Sequence, residues 1–454
     1  MTWFKGLFSK KHADEQTDTP FQDNATAQDD GFNRFNRQAG AGPKHSLPTF
    51  QGTASDQLRE GHRGPLDQVR FRLRDAFTPS RPITRPQMFA GRTHILRSLI
   101  RAIEEQHLHV VIYGERGIGK TSLLNILADL AQNAKYLVRY VSCSEGAEFE
   151  NTFRAILRDI PLLYHRDYTP TSDEAEQGKT LEDLAGSETL TVARATDILA
   201  RLSNTRVVII LDEFDRALNP AFRASIAELI KSLSDRSIRV QLVIGGVAAS
   251  LTELIDRIPS IRRNIYGMQI PNMSDEEIAN LIQNGQSVSG LEFGPDVMRF
   301  ITSLSCGSPY LASLISQYAG IIAVDRESKL VTRADVVQAI RQSLDEIRSR
   351  LQPTLHYRID QAYVDGLGPM LGLLACTALN AGGTLQPSTV KELAATEGWQ
   401  DGFLDNLDKK YNLVSKIPGD PTDSYQFSDE GSPTYLWLRY ADHEICRKES
   451  GKNT

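Results

Sequence analysis

Gly114-Glu115-Arg116-Gly117-Ile118-Gly119-Lys120-Thr121 fits the pattern G-x-x-x-x-G-K-[ST]. Its flanks fit as well. His109-Val110-Val111-Ile112-Tyr113 reads as a short buried strand running into the loop. Ser122 to Leu130 reads as a helix running out of it, with Leu123, Ile126, Leu127 and Leu130 on one face. That strand–loop–helix setting is what gives such a glycine pattern meaning. Glycines let the backbone curl so that successive N–H groups converge on an anion, and the helix N-terminus adds partial positive charge. The stretch from Gly114 through Glu115, Arg116, Gly117, Ile118, Gly119, Lys120 and Thr121 to Ser122 is therefore expected to cradle nucleotide phosphates. Lys120 would reach the outer phosphates, and the Thr121 hydroxyl would hold Mg²⁺.

A chain of 454 residues has room for two or three domains with their own cores. Hydrophobic content of 40% and charged content of 24% describe a soluble globular protein, and a net charge of −6 gives no global pull toward nucleic acid. Cys143, Cys306, Cys376 and Cys446 are scattered without a C-x-x-C pair, which fits a reducing, cytoplasmic setting and supplies no zinc site. No stretch reaches the roughly 18 apolar residues of a membrane span. Residues 1–11 place Trp3, Phe4, Leu7 and Phe8 at helical spacing beside Lys5, Lys10 and Lys11. They read either as a short amphipathic segment that docks on a membrane surface or a partner, or as a frayed tail. A peripheral membrane location follows only from the first reading. From residue 12 to about 64 the chain is polar and poor in aliphatic residues, too poor to offset the entropy of ordering, so disorder is expected there.

Order is expected from about Leu66. Val69 to Arg74 alternates apolar and basic residues, and leaves strand and helix open. After a proline-rich lead-in come Phe89-Ala90-Gly91-Arg92 and a helix with Ile95, Leu96, Leu99, Ile100 and Ile103 on one face. Beyond the loop helix, Tyr136 to Ser142 reads as a strand and Phe149 to Ile160 as a helix. Pro161 to Glu188 reads as a surface insertion, and Leu190 to Leu202 as a further helix.

Val207-Val208-Ile209-Ile210-Leu211-Asp212-Glu213 is the second informative stretch. A continuous β-branched run predicts a strand buried on both faces of a parallel sheet. Its two carboxylates fall at the strand's C-terminal end, where ligands sit in open α/β sheets. Asp212 would orient Mg²⁺ and Glu213 would polarise an attacking water. Val240 to Ile244 predicts another central strand, ending in Gly245-Gly246, with no Asn, Thr or Arg at its tip and Ser250 as the nearest hydroxyl. Arg262 and Arg263 precede a short strand, Ile265 to Ile270. They read equally as catalytic guanidiniums reaching the site of a second subunit, which requires a homo-oligomer, or as solvent-facing arginines.

Ser274-Asp275-Glu276-Glu277 is a capping box that opens a helical region. Helices follow at Val297–Ser305, Leu311–Ala323 and Thr332–Arg350, with Cys306 to Tyr310 breaking the chain between the first two. The last hundred residues read as helices at Tyr363–Leu379, Pro387 onward and Gly402–Lys410. Strands at Asn412–Lys416 and Ser424–Ser428 then flank a Gly419-Asp420-Pro421 turn, and a last helix runs from Pro433 to Ile445. Three helices followed by a β-hairpin is the winged-helix order. Residues 351–454 hold nine Lys or Arg against fourteen Asp or Glu, a net of −5. DNA affinity rests mainly on neutralising phosphates, so a protein contact or an intramolecular role is expected of this module rather than DNA.

Taken together, Phe89-Ala90-Gly91-Arg92, the two phosphate-site stretches and Gly307-Ser308-Pro309 resemble AAA+-like P-loop ATPases of the replication-initiator and STAND type. The resemblance covers roughly residues 85 to 445. It implies an α/β fold: a P-loop NTPase parallel sheet flanked by helices, followed by an α-helical lid and a winged-helix domain. The boundaries implied are a tail at 1–64, an ATPase core at 65–271, a lid at 272–350 and a winged-helix-like domain at 351–454. ATP or ADP and Mg²⁺ are the implied ligands, with Lys120 and Glu213 catalytic, Asp212 and Thr121 on the metal, and Phe89, Gly91, Arg92 and Pro309 around the base. Initiators carry a sensor arginine in the lid where this chain has Gly307-Ser308-Pro309, a departure toward the signalling members that implies slow hydrolysis. The function implied is a nucleotide-dependent switch that signals to a protein partner. A DNA-associated initiator or transposition-helper ATPase is the alternative.

Overall fold

The computed structural model describes residues 64–168, 178–248, 251, 254, 259–399, 402–417 and 422–450. The expected tail up to residue 63, with its amphipathic start, lies outside these residues, as do Ser250 and the Gly419-Asp420-Pro421 turn.

Pro65–Ala76 is a helix, α1, which settles the open reading of Val69 to Arg74. Val69, Leu73 and Ala76 fall at i, i+4 and i+7 and are buried together, with Pro65 in the first turn. Next come α2 (Thr93–Glu104), β1 (His109–Gly114), α3 (Lys120–Asn133), β2 (Leu137–Ser142) and α4 (Phe149–Arg158). Two helices, α5 (Glu182–Ala185) and α6 (Val192–Leu199), lead to β3 (Val207–Asp212), α7 (Pro220–Asp235), β4 (Val240–Val247) and β5 (Ile265–Gln269). The five strands form one parallel sheet in the order β2-β3-β4-β1-β5. In β1, Val111 faces one apolar layer with Phe153, Phe214 and Phe222, while Val110 and Ile112 face the other with Leu123 and Ile126. Every residue of β3 is buried, as a strand covered by helices on both faces requires. The described ends of the segment from Pro161 to Glu188 are not loose surface. Leu162 and Leu181 are buried, and Leu181 N–H donates to Ile160 O (2.9 Å), because two leucines give that segment its own anchor on α4.

The helical region begins with α8 (Asp275–Ser289), whose capping box is formed: Ser274 Oγ accepts from Glu277 N–H (3.2 Å) and Glu277 Oε2 from Ser274 N–H (3.0 Å). Short strands β6 (Glu292–Phe293) and β7 (Leu330–Val331) pair across α9 (Pro295–Ser305) and α10 (Pro309–Asp325), and α11 (Arg333–Arg350) follows. The expected helix from Tyr363 to Leu379 is divided between α12 (Pro353–Val364) and α13 (Gly368–Asn380). Gly366 at φ +81° turns the chain, and Pro369 sits in the first turn of the new helix, where its missing N–H costs nothing. Then come β8 (Thr384–Leu385), α14 (Pro387–Glu397), α15 (Phe403–Lys409), β9 (Val414–Lys416), β10 (Tyr425–Phe427) and α16 (Ser432–Glu449). These last strands pair antiparallel in the order β8-β10-β9.

One apolar cluster runs from Val69 of α1 through the helical region to Ile445 of α16. α1 therefore packs on α8 and α10 rather than on the parallel sheet. Trp437 is fully buried at the centre of this cluster, and its indole N–H donates to Leu304 O (2.8 Å) on α9. Trp437→Ala removes both the ring and that donor. It should lower the unfolding free energy by about 3–5 kcal/mol, read as a shifted denaturation midpoint. A shift below about 1 kcal/mol would show that α16 contributes little to the shared core.

Candidate functional site

The loop at the end of β1 needs glycine at three places. Gly114, Gly117 and Gly119 hold φ of +147°, +76° and +95°, the last as the residue that caps α3. Lys120, the first residue of α3, is 8% exposed. Its Nζ folds back to donate to Gly114 O (2.9 Å) and Glu115 O (2.6 Å). Burial pulls its pKa down to about 8, opposed by Asp215 first, then Asp212, Glu115 and Glu430. The ammonium therefore sits in a field of four carboxylates.

Asp212 and Glu213 end β3 as expected. Asp212 is buried and accepts from Tyr140 OH (2.6 Å) through Oδ2 and from Glu213 N–H (2.8 Å) through Oδ1. Glu213 stands in left-handed backbone at φ +53°, with Oε2 accepting from Ser142 Oγ (2.9 Å) and Arg216 Nη1 (2.8 Å). The Ser142 bond leads the causes that hold its pKa below the usual value. Asp215 Oδ1 accepts from Val247 N–H (2.8 Å) at the end of β4. The bare tip of β4 now has a reason. A Cβ on Gly245 would lie 2.6 Å from Leu124 Cδ1 and 3.0 Å from Asp212 Oδ1, and one on Gly246 would lie 3.0 Å from Asp215 Oδ1. The two glycines clear space for both carboxylates.

Arg92 is 3% exposed, in left-handed backbone at φ +54°. Its Nη1 donates to Ile118 O and its Nη2 to Pro271 O (2.8 Å), while Glu277 Oε1 accepts from its backbone N–H (2.7 Å). The side chain braces the loop against the turn into the helical region. Gly91 leaves room for Glu277, whose Cγ would be 2.8 Å from a Cβ there, and Phe89 packs against the α2–α3 layer. Pro309 and Tyr310, at the start of α10, lie over Gly119 and Gly117, at 3.9 Å and 3.5 Å from where a Cβ would stand. Ser122 Oγ accepts from Ile83 N–H (3.0 Å), so the lead-in segment lies against the first turn of α3. Thr121 is half-buried beside it.

Arg262 and Arg263 are not brought to this site. They lie in a 3-10 turn before β5, whose Ile265 pairs with His109 at the far end of β1, roughly 16 Å of strand from the loop. Arg263 Nη2 lies 3.9 Å from Asp235 Oδ1. Tyr140, Ser142, Asp215 and Glu430 are site residues that sequence reasoning missed. Tyr140 and Ser142 carried a signal: they are alternate residues on β2, and Ser142 pairs in register with Asp212. Asp215 lay three residues beyond Asp212. Glu430 carried none. A small apolar cavity of about 70 Å³ between α2 and α3, lined by Ile103, Leu127, Leu130 and Tyr136, sits away from these groups.

The arrangement suits a polyphosphate with a divalent cation. Backbone N–H groups at a helix start and a buried ammonium stand beside an acidic cluster whose Asp212 is positioned by its own hydrogen bonds. A family model described as "AAA domain" matches residues 90–255. No curated protein matches the sequence. Among solved structures, the chain is similar to the Thermotoga maritima RuvB Holliday junction branch migration motor at 15% identity and a TM-score of 0.42, over 79% of this chain and 97% of that one. It is similar to the Aeropyrum pernix Orc1 protein in complex with DNA at 17% and 0.41, over 80% and 95%. For Cdc6p from Pyrobaculum aerophilum the values are 16% and 0.43, over 83% and 98%. Likeness of that degree assigns no activity or ligand to this chain. The phosphate loop, the carboxylates across β4 and the matched span agree on one point: residues 90–255 are an AAA domain of the AAA+ P-loop type.

Proposed function

We propose that this chain binds ATP with Mg²⁺ at the Gly114–Thr121 loop, hydrolyses it slowly, and uses the exchange as a conformational switch that signals to a protein partner. One observation carries the reading. The loop that holds Lys120 beside Asp212 and Asp215 also touches Pro309 and Tyr310 of the helical region and Glu430 near the C-terminus. A ligand in that loop would lie against both layers, and it drives a switch to the extent that those contacts differ between the two states.

In this reading the backbone of Gly117 to Lys120 and the Lys120 ammonium bind the phosphates, and Thr121 and Asp212 hold the cation. Bound Mg²⁺ would supply charge neutralisation on the phosphate oxygens. Glu213 orients the attacking water, and its present bonds to Ser142 and Arg216 must loosen before it does so, which favours slow turnover. The output passes through the last hundred residues, a winged-helix-like module whose net charge of −5 suits a protein surface better than DNA. Domain limits of 65–271, 272–350 and 351–454 belong to this proposal, except that α1 (65–76) packs with the helical region rather than with the sheet. So does a homo-oligomer in which Arg262 or Arg263 reaches a second copy, and so does a cytoplasmic location.

Lys120→Ala should weaken MgATP binding by about a hundredfold, the loss of a charge-assisted contact; retained micromolar affinity in a calorimetric titration would sink the assignment. Glu213→Gln should keep that affinity and lower phosphate release by on the order of a hundredfold or more. Unchanged turnover in that variant would remove Glu213 from the water-positioning role.

Glu115 gives a pH readout of the closed loop. Burial raises its pKa from 4.5 to about 7, with Lys120 opposing the shift and Glu430 adding to it. A carboxyl whose folded pKa lies above its unfolded one contributes stability that is full below about 4.5 and is lost as pH rises through about 7. Glu115→Gln should therefore flatten part of the fall in unfolding midpoint across that window, measured against the parent chain. Parallel pH profiles would place the Glu115 carboxyl in solvent.

A further inference from the structure

The phosphate loop already has an occupant on its outer face, and that occupant comes from the far end of the chain. Arg116 Nη1 lies 3.3 Å from Glu430 Oε2. The Glu115 side chain rests in a notch formed by Gly382 and Gly383, at φ of +71° and +77°, where a Cβ on Gly383 would collide with Glu115 Oε1. Both contacts are held from behind. Asn272 Nδ2, beyond β5, donates to Leu379 O (2.5 Å) just before the glycine turn. Asp429 Oδ1 accepts from Gly431 N–H (2.8 Å) and Ser432 N–H (3.0 Å), which fixes the turn carrying Glu430 at the start of α16.

The geometry points to residues 379–383 and 429–431 as an intramolecular latch in which the Glu430 carboxylate stands where it competes with nucleotide phosphates for Arg116. This rests on the nucleotide reading of the site and adds its sign: filling the loop with polyphosphate drives the C-terminal segment off it. The charges decide the direction. Glu115 and Glu430 both lie in the field of Lys120, and each opposes a further anion arriving there. Their mutual repulsion already contributes to the raised pKa of Glu115. Binding free energies are reciprocal, so the factor by which nucleotide loosens the latch equals the factor by which the latch weakens nucleotide.

The test uses the full chain and Glu430→Gln, a near-isosteric change at an exposed position. MgATP affinity, measured by calorimetry, should rise about threefold to fivefold, the range an exposed ion pair sets. Hydrogen exchange read by mass spectrometry should quicken in peptides covering residues 379–385 and 425–432 when MgATP is added to the parent chain. In Glu430→Gln the same peptides should exchange quickly before nucleotide is added. Affinity unchanged or weakened in Glu430→Gln would overturn the latch, as would exchange slowed by MgATP in those peptides. A parent chain that binds no MgATP overturns the nucleotide reading instead. The latch contact is then judged on exchange in ligand-free Glu430→Gln alone, where parental rates would count against it.

Discussion

A buried ammonium must be compensated where it sits, and the site is arranged around that requirement for Lys120. Removing a charge from water is costly unless opposite charge and hydrogen bonds replace the lost hydration. Lys120 answers with two loop carbonyls and the field of Asp215 and Asp212 across the sheet. Those carboxylates reach it because β4 lies between β1 and β3 and carries Gly245 and Gly246 just before its last residue. Side chains on Gly245 or Gly246 would meet Asp212 and Asp215 directly. Strand order, strand-tip composition and the charge state of one lysine are thus a single constraint.

Glu213 illustrates a second use of local geometry. Its left-handed backbone turns the carboxylate toward β2, where Ser142 holds it, and Arg216 closes on the same oxygen. A non-glycine residue at positive φ costs energy that the surroundings must supply. Here the Asp212 carboxylate accepts the Glu213 N–H and Tyr140 orients Asp212 in turn. The two acidic residues at the strand end are therefore both held from β2, by Tyr140 and Ser142. A shift of β2 against β3 would alter the pair together.

The parallel sheet was legible because burial on both faces writes itself as an unbroken β-branched run, and the loop because backbone curvature and phosphate chemistry demand glycine and lysine at set spacing. Helix α8 announced itself by its capping box. What stayed hidden was nonlocal. β8 is two residues long and has no periodicity to detect, and Glu430 is one acid among fourteen in its segment until folding places it beside Arg116. Tyr363 to Leu379 read as one helix because its apolar content is continuous, while the break depends on Gly366 and Pro369. The sequence showed no Asn, Thr or Arg at the tip of β4. In the fold that absence is the clearance that lets two carboxylates in.

Magnitudes decide how far the C-terminal segment is able to move. The Arg116–Glu430 pair has side chains 79% and 61% exposed, so it contributes at most about 1 kcal/mol. The contact behind it is of another order. α13 and α16 share one apolar cluster with the helical region, and each fully buried large side chain in such a cluster contributes about 1.5–3 kcal/mol. Trp437, Leu371, Leu374, Leu436 and Leu438 are all fully buried there. A ligand that removes only the outer contact cannot separate these layers. Displacing Glu430 would free only the Gly382-Gly383 turn and residues 429–431, since Ser432 at the start of α16 is itself fully buried.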